Sequence, residues 1–293
     1  MWQITFVLFM VLFIAQTLYK RTIAQTVKVH ASIPNLISYL VGVMPLSIIV
    51  GLILPHHVDW SLWTLVLLVF EGGFISLFMW LSLEAMKLLP TAYFQTVFQV
   101  STVVIILLGW ITLGETLLPL QILGAVCIFA SALLAIWAPM RAHRKGNGHI
   151  EHFRKGIILS LASAIAMGIG LVAEKAALQY MDLGAYFIFG FTAQTLGLIV
   201  LAAPHITKHP LHKLPRNVVK SSIILGFVTT FLGYAYLYSL QASNNISLIT
   251  ALKAFALPLT AIAAHYILKE RDDNKLLWVA MVLGVAGIVV TTL

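Results

Sequence analysis

The chain repeats itself at a fixed distance. Lys20, Gly42 and Glu115 each return 155 positions later as Lys175, Gly197 and Glu270, in apolar surroundings of similar length. Each copy contains about five hydrophobic runs near the ~20 residues that a bilayer-spanning helix requires. Five is odd, so the second copy enters the membrane from the side opposite to the first. The predicted fold class is therefore all-α: a polytopic membrane protein with ten transmembrane helices in two inverted five-helix repeats. Inverted duplications of this kind build many secondary transporters, with a substrate site near the bilayer midplane where the copies meet.

The composition points the same way. Apolar residues make up 60 % of the chain and charged residues 10 %, with a mean hydropathy of +0.98, whereas a soluble chain carries about 25 % charged residues. Predicted spans cover 3–19, 33–54, 61–83, 88–112, 117–138, 156–180, 184–204, 218–241, 246–268 and 275–293. The polar stretch from Arg141 to His152 separates the copies, giving one repeat over 1–140, a cytoplasmic linker over 141–153 and a second repeat over 154–293. No connection is long enough to hold a soluble domain. The first run lacks a basic leader and a small-residue cleavage site, and reads as a retained helix rather than a signal peptide.

A formal charge of +8 could suggest a polyanionic partner, but its placement follows a membrane. Lys20, Arg21 and Lys28 come after the first run and Lys87 after the third. Arg141, Arg144, Lys145, Arg154 and Lys155 flank the linker. Lys208, Lys213, Arg216 and Lys220 follow the seventh run, and Lys269, Arg271 and Lys275 the ninth. Sixteen of the 18 basic residues thus lie in odd-numbered connections. An excess of Lys and Arg marks cytoplasmic loops. The odd connections are therefore expected inside and both termini outside, in a plasma membrane of bacterial or archaeal type. The lipid bilayer is an expected partner; nucleic acid is not. Cys127 is the only cysteine, and the ten histidines do not cluster at ligand spacing. No disulfide, metal centre or cofactor is expected.

The fourth span ends in Leu113-Gly114-Glu115, followed by Leu117-Leu118-Pro119 and Gln121-Ile122-Leu123-Gly124-Ala125. The ninth ends in Leu268-Lys269-Glu270, followed by a polar turn and an apolar run from Leu276 to Thr292 containing Gly284 and Gly287. This paired arrangement resembles the EamA-type members of the drug/metabolite transporter superfamily, and the likeness extends over essentially the whole chain. It implies a secondary transporter of small organic metabolites, with a cavity lined by helices three, four, eight and nine. The sequence departs from the pattern at Lys269, where members usually have glycine, and at Val103, where the fourth span lacks the proline that Pro258 supplies in the ninth. Members are also usually described with cytoplasmic termini, opposite to the charge count. Glu115 and Glu270 read as turn and cap residues, because a carboxylate there accepts hydrogen bonds from the exposed amides of the next helix, where the dipole favours negative charge. The repeated glycines read as close-packing positions between membrane helices.

Ionisable groups within a span cost roughly 2.5–3.5 kcal/mol at the helix centre and mark function by default. Glu71 lies near the middle of the third span, ahead of Gly72 and Gly73. Lys253 lies within the ninth, and Lys175, beside Glu174, can reach water from the outer end of the sixth. Glu71 is a candidate proton carrier, a counter-charge for a cationic substrate group, or the partner of Lys253 in a buried ion pair. Lys253 could in turn meet a substrate carboxylate, so that the two charges suit an amino acid, another zwitterion or an amine. Gln95 and Gln99 share one helix face, as do Thr250 and Lys253. Trp80, Tyr93, Tyr234 and Tyr238 could wall a cavity by stacking or cation–π attraction, although packing is the commoner role for any one of them.

No nucleotide-binding glycine loop, paired metal carboxylates or serine–histidine arrangement is present, so an enzyme is not expected. A channel needs a selectivity ring or a continuous polar stripe, whereas the polar residues here gather midway. A channel, or a non-transporting accessory or structural subunit, is the competing class. The expectation is a secondary active transporter of a small-molecule substrate working by alternating access, with protons coupled through Glu71 as a further step. The sequence does not separate a monomer from a homodimer. Adding 155 to Glu71 lands on Gly226, and subtracting it from Lys253 lands on Phe98, so the chemistry is not repeated with the scaffold.

Overall fold

The computed structural model describes residues 2–26, 29–114, 118–142, 147–207, 214–243, 256–270 and 275–291. Glu115, Thr250 and Lys253 lie outside the described residues. The helices are α1 (Trp2–Thr26), α2 (Ser32–Ser38), a π-helical turn (Tyr39–Val43), α3 (Met44–Ile53), α4 (Leu62–Leu88), α5 (Thr91–Phe98) and α6 (Val100–Leu113). They continue with α7 (Pro119–Ala142), α8 (Asn147–Ala177), α9 (Leu183–Ile206), α10 (Arg216–Ser243), α11 (Ala256–Ile267) and α12 (Lys275–Thr291). Among the described residues no strand occurs, only an isolated bridge between Val58 and Met181. Among the described residues eight helical segments are long and apolar enough to cross a bilayer, and α12 is a shorter apolar helix. The protein is an all-helical, multi-pass integral membrane protein.

Local chemistry explains where the helices start and stop. Ser61 opens α4 by accepting the Thr64 backbone N–H on its hydroxyl at 3.0 Å, satisfying one of the amides that a helix start leaves unpaired. Gly114 closes α6 in the left-handed region at φ 67°, as a helix-ending glycine does. Lys269 takes the same left-handed geometry after α11, at φ 54°, so the departure from glycine keeps the turn. The second apolar run is not one regular helix, because the π turn joins α2 to α3. The fourth is interrupted at Gln99, between α5 and α6.

Two stretches differ from expectation. The described parts of the predicted linker are helical: α7 runs to Ala142 and α8 starts at Asn147, since a helix can project past the apolar layer once its side chains turn polar. The first span also continues as helix to Thr26. Lys20 and Arg21 are therefore helical and buried rather than part of a loop.

The helices pack in pairs. α4 lies against α8 and α9, α1 against α10, and α7 against α12. One apolar cluster gathers around Ile23, Leu83, Met86 and Phe94, a second around Tyr39, Leu68, Tyr186 and Leu198. The π turn lies backbone to backbone on α10, where a Cβ on Gly42 would stand 2.7 Å from the Gly226 backbone. Gly42→Ala is expected to lower stability by about 1–3 kcal/mol through overpacking. Gly73→Ala should be nearly neutral, because its Cβ would meet nothing within 4 Å. Thermal melting of the purified variants reads both, and equal midpoints would contradict the close contact at Gly42.

Candidate functional site

The third span carries Glu71 into the interior, where it is fully buried. Gly72 makes this possible, because a Cβ there would stand 2.5 Å from the Ala193 carbonyl carbon, and without one α9 can lie directly on α4. Ser76, one turn on, donates its hydroxyl to the Gln194 carbonyl at 2.7 Å. Glu71 Oε1 accepts from Gln194 Nε2 at 2.5 Å and from the Tyr186 hydroxyl at 3.0 Å. Gln194 Oε1 accepts in turn from the Tyr39 hydroxyl of the π turn at 2.8 Å. Among the described residues, Glu71 Oε2 has no hydrogen-bond partner and no cation pairs with Glu71. Glu174 on α8 lies within electrostatic reach of Glu71, Tyr39 and Tyr186. One carboxylate oxygen is thus held by neutral donors while the other is left to accept a proton or an N–H.

The basic ends of the helices hold a second group of polar residues. Arg21 donates from Nε to Glu270 Oε1 at 2.5 Å, and from Nη1 to the Met86 carbonyl. Glu270 Oε2 accepts the Thr91 backbone N–H at 2.9 Å. The carboxylate does cap a helix, but the amide belongs to α5 of the first half rather than to the helix that follows Glu270. It thereby ties α1, α4 and α5 to the end of α11. One residue before Arg21, the Lys20 ammonium sits 5.5 Å from the centroid of the Phe78 ring. Phe78 stacks on Phe98 at 5.4 Å, and Phe98 on Phe94 at 5.4 Å. Gln95 Nε2 donates to Thr17 Oγ1 at 3.4 Å. Gln95 Oε1 and both amide atoms of Gln99 are buried without a partner among the described residues.

The aromatic candidates disperse. Tyr93 is buried and meets Phe153 edge-on at 5.4 Å, within the apolar packing. Tyr234 stands edge-on to Phe187 at 4.7 Å, with its buried hydroxyl beside that of Ser47. Tyr238 is half exposed. Trp80 donates its indole N–H to His30 Nε2 at 3.1 Å. Pro258 lies within α11.

His30 occupies the short connection after α1 and stacks on His205 with ring centroids 3.5 Å apart. Its Nδ1 lies 2.8 Å from the Ser32 hydroxyl. Nearby, Glu84 accepts from the Ala31 backbone N–H and from Lys87 Nζ. Burial first, and the stacked His205 second, push the His30 pKa below the usual imidazole range; Glu84 opposes this and Lys87 adds to it. The folded protein therefore takes up the His30 proton less readily than the unfolded chain does. As pH falls through the unfolded value of about 6.5, stability should decline, levelling once the folded-state pKa is passed. Melting midpoints between pH 7 and 5 should fall less in His30→Gln than in the wild type. Parallel curves would contradict this role.

Of the residues singled out in the sequence, only Glu71 stands in the buried network on α9. Tyr39, Tyr186 and Gln194 were not among them. Yet Tyr39 and Gln194 are separated by the repeat interval itself, 155 residues. A search for paired positions rather than paired identities would have found them. Among the described residues no group of three or more His, Cys, Asp or Glu is arranged to hold a metal ion.

Comparison with known proteins bears on the whole arrangement. Residues 154–293 match the EamA-like transporter family. The chain is 24 % identical over 227 residues to the uncharacterized transporter YvbV of Bacillus subtilis (strain 168), covering 73 % of this chain and 67 % of that one. A protein of known crystal structure, 17 % identical in sequence, shares the fold with a TM-score of 0.63, covering 99 % of this chain and 96 % of that one.

Proposed function

Because this chain is an EamA-type protein of the drug/metabolite transporter superfamily, we propose that it carries a small organic metabolite across the membrane by alternating access. In this reading it has ten helices in two inverted five-helix copies. The observation that carries the reading is the Glu71 network, built where a residue meets its own counterpart. In a two-fold arrangement, contacts are reciprocal, and a residue that touches its own equivalent lies at the axis. The Tyr39–Gln194 hydrogen bond joins such a pair.

Other contacts fit the same operation. Shifted by the repeat interval, the packing of α4 on α8 becomes that of α10 on α1, and both occur. Gly42 packs on Gly226, and its counterpart Gly197 packs on Gly72. Glu71 hangs from this central pair with one oxygen unengaged, and the other copy has Gly226 in its place. A proton, or the N–H of an amine or zwitterion, is what that oxygen takes. Rocking of the two copies about the pair then exposes the site to each side in turn. The Arg21–Glu270 tie closes the basic face in the conformation described. The odd connections are cytoplasmic and both termini external, following the basic residues.

The test is a screen of amino acids and amines by thermal stabilisation of the purified protein, followed by flux in liposomes. At least one stabilising compound should cross the membrane with this protein and not without it. Stabilisation with no flux would point to a sensor or accessory subunit. A reporter fused after Leu293 that works only outside the cytoplasm should be active; an expressed but inactive fusion contradicts the orientation.

A further inference from the structure

We propose that Lys20, with the Phe78–Phe98–Phe94 ladder beside it, is a binding anchor for an organic carboxylate with a flat, apolar body. Lys20 and Arg21 are adjacent, and both are buried, at 7 % and 8 % exposed. Their surroundings differ sharply. Arg21 is matched by Glu270 and by the Met86 carbonyl. Lys20 is matched by the face of Phe78, and among the described residues no carboxylate pairs with it.

A ring face attracts an ammonium but cannot take up its three hydrogen-bond donors. A buried cation in a membrane segment is ordinarily paired, or else marks a pathway for a charged ligand. Glu270 bonds to Arg21 and Thr91, and Glu84 to Lys87 and Ala31; neither pairs with Lys20. Among the described residues none supplies an anion to Lys20, and in this proposal that role falls to a ligand.

The surroundings describe the rest of that molecule. Phe78 and Phe98, stacked and only partly buried, offer apolar ring surface beside the ammonium, on which a planar hydrocarbon body can pack. One turn before Lys20 on α1, Thr17 holds the amide nitrogen of Gln95, whose carbonyl oxygen is buried and unpartnered among the described residues. That oxygen accepts an N–H if the ligand carries one. A bare inorganic anion would use Lys20 and leave the ladder and the Gln95 oxygen unengaged. Lys20 lies six residues from the basic end of its span, about 9 Å, and Phe78 lies two turns beyond Glu71, about 10 Å along α4. The anchor thus stands between the Arg21–Glu270 tie and the Glu71 network, a place on the path rather than the midplane site itself. The inference rests on the transport reading only for the ligand's fate.

The experiment is a binding measurement on purified full-length protein, with no gradient, by calorimetry and thermal stabilisation. The probes are benzoate, 3-phenylpropanoate and phenylalanine, their matched primary amides, and inorganic phosphate. The proteins are the wild type, Lys20→Met and Lys20→Arg. At least one of the carboxylates should bind the wild type, its amide should bind about tenfold more weakly or worse, and Lys20→Met should lose binding by a similar factor. Lys20→Arg, which keeps the charge, should retain it. If Lys20→Met fails to fold, the comparison of carboxylate with amide on the wild type and Lys20→Arg decides. The anchor is overturned if none of the carboxylates binds, if an amide binds as tightly as its acid, if Lys20→Met binds undiminished, or if phosphate alone binds. Carboxylate binding that needs Lys20 but yields no flux leaves the anchor standing and removes the transport reading.

Discussion

Glu71→Gln should reduce proton-dependent flux in liposomes by about 100-fold or more, the scale on which loss of a proton-transferring group acts, while the protein still folds. The substitution keeps the shape of the side chain and an oxygen where Oε1 now accepts from Gln194 and Tyr186. It removes the group that gains and releases a proton, and it replaces the unengaged Oε2 with an amide nitrogen that can only donate. A ligand N–H arriving at that position would meet another donor. The melting midpoint should stay near that of the wild type, which separates a lost function from a lost fold. Flux that is unchanged and still pH-dependent removes Glu71 from the proposed role.

The second large effect is expected at Arg21. Its side chain is about nine-tenths buried, and so is that of Glu270. Removing one partner from such a pair leaves the other charge uncompensated, at a cost of about 3–5 kcal/mol. Arg21→Met should therefore lower the melting midpoint strongly, because Glu270 would keep only the Thr91 amide and the Met86 carbonyl would lose its donor. The double variant Arg21→Met/Glu270→Met should recover part of the loss, since two apolar side chains leave no orphaned charge. A double variant no more stable than Arg21→Met alone would show that the pair is not what holds this end together.

The all-helical, multi-pass character was legible in the sequence, because length and hydropathy are all that a spanning helix needs. Glu71 was legible for the same reason, as a carboxyl near the middle of a spanning run. Its partners were not, because Tyr186 and Gln194 are 115 and 123 residues away, and periodicity along one helix says nothing about which helix lies against it. Lys20 was expected in the connection after the first run because the apolar run thins out there. The helix nevertheless continues to Thr26, and Phe78 covers the charge. Glu270 shows an intermediate case. That a carboxylate in this turn would cap a helix followed from the chemistry of exposed amides. That the helix would be α5 depended on how the two halves meet, and no local pattern records that.

Counterflow tests alternating access most directly. Liposomes containing the protein are preloaded with an unlabelled compound that stabilises it, diluted into the same compound in labelled form at low concentration, and sampled over time with no pH gradient or membrane potential. A carrier that exposes one site to each side in turn should accumulate label transiently above its equilibrium level, then release it as the internal pool runs down. A monotonic rise to equilibrium, unaffected by preloading, would contradict alternating access and indicate a channel.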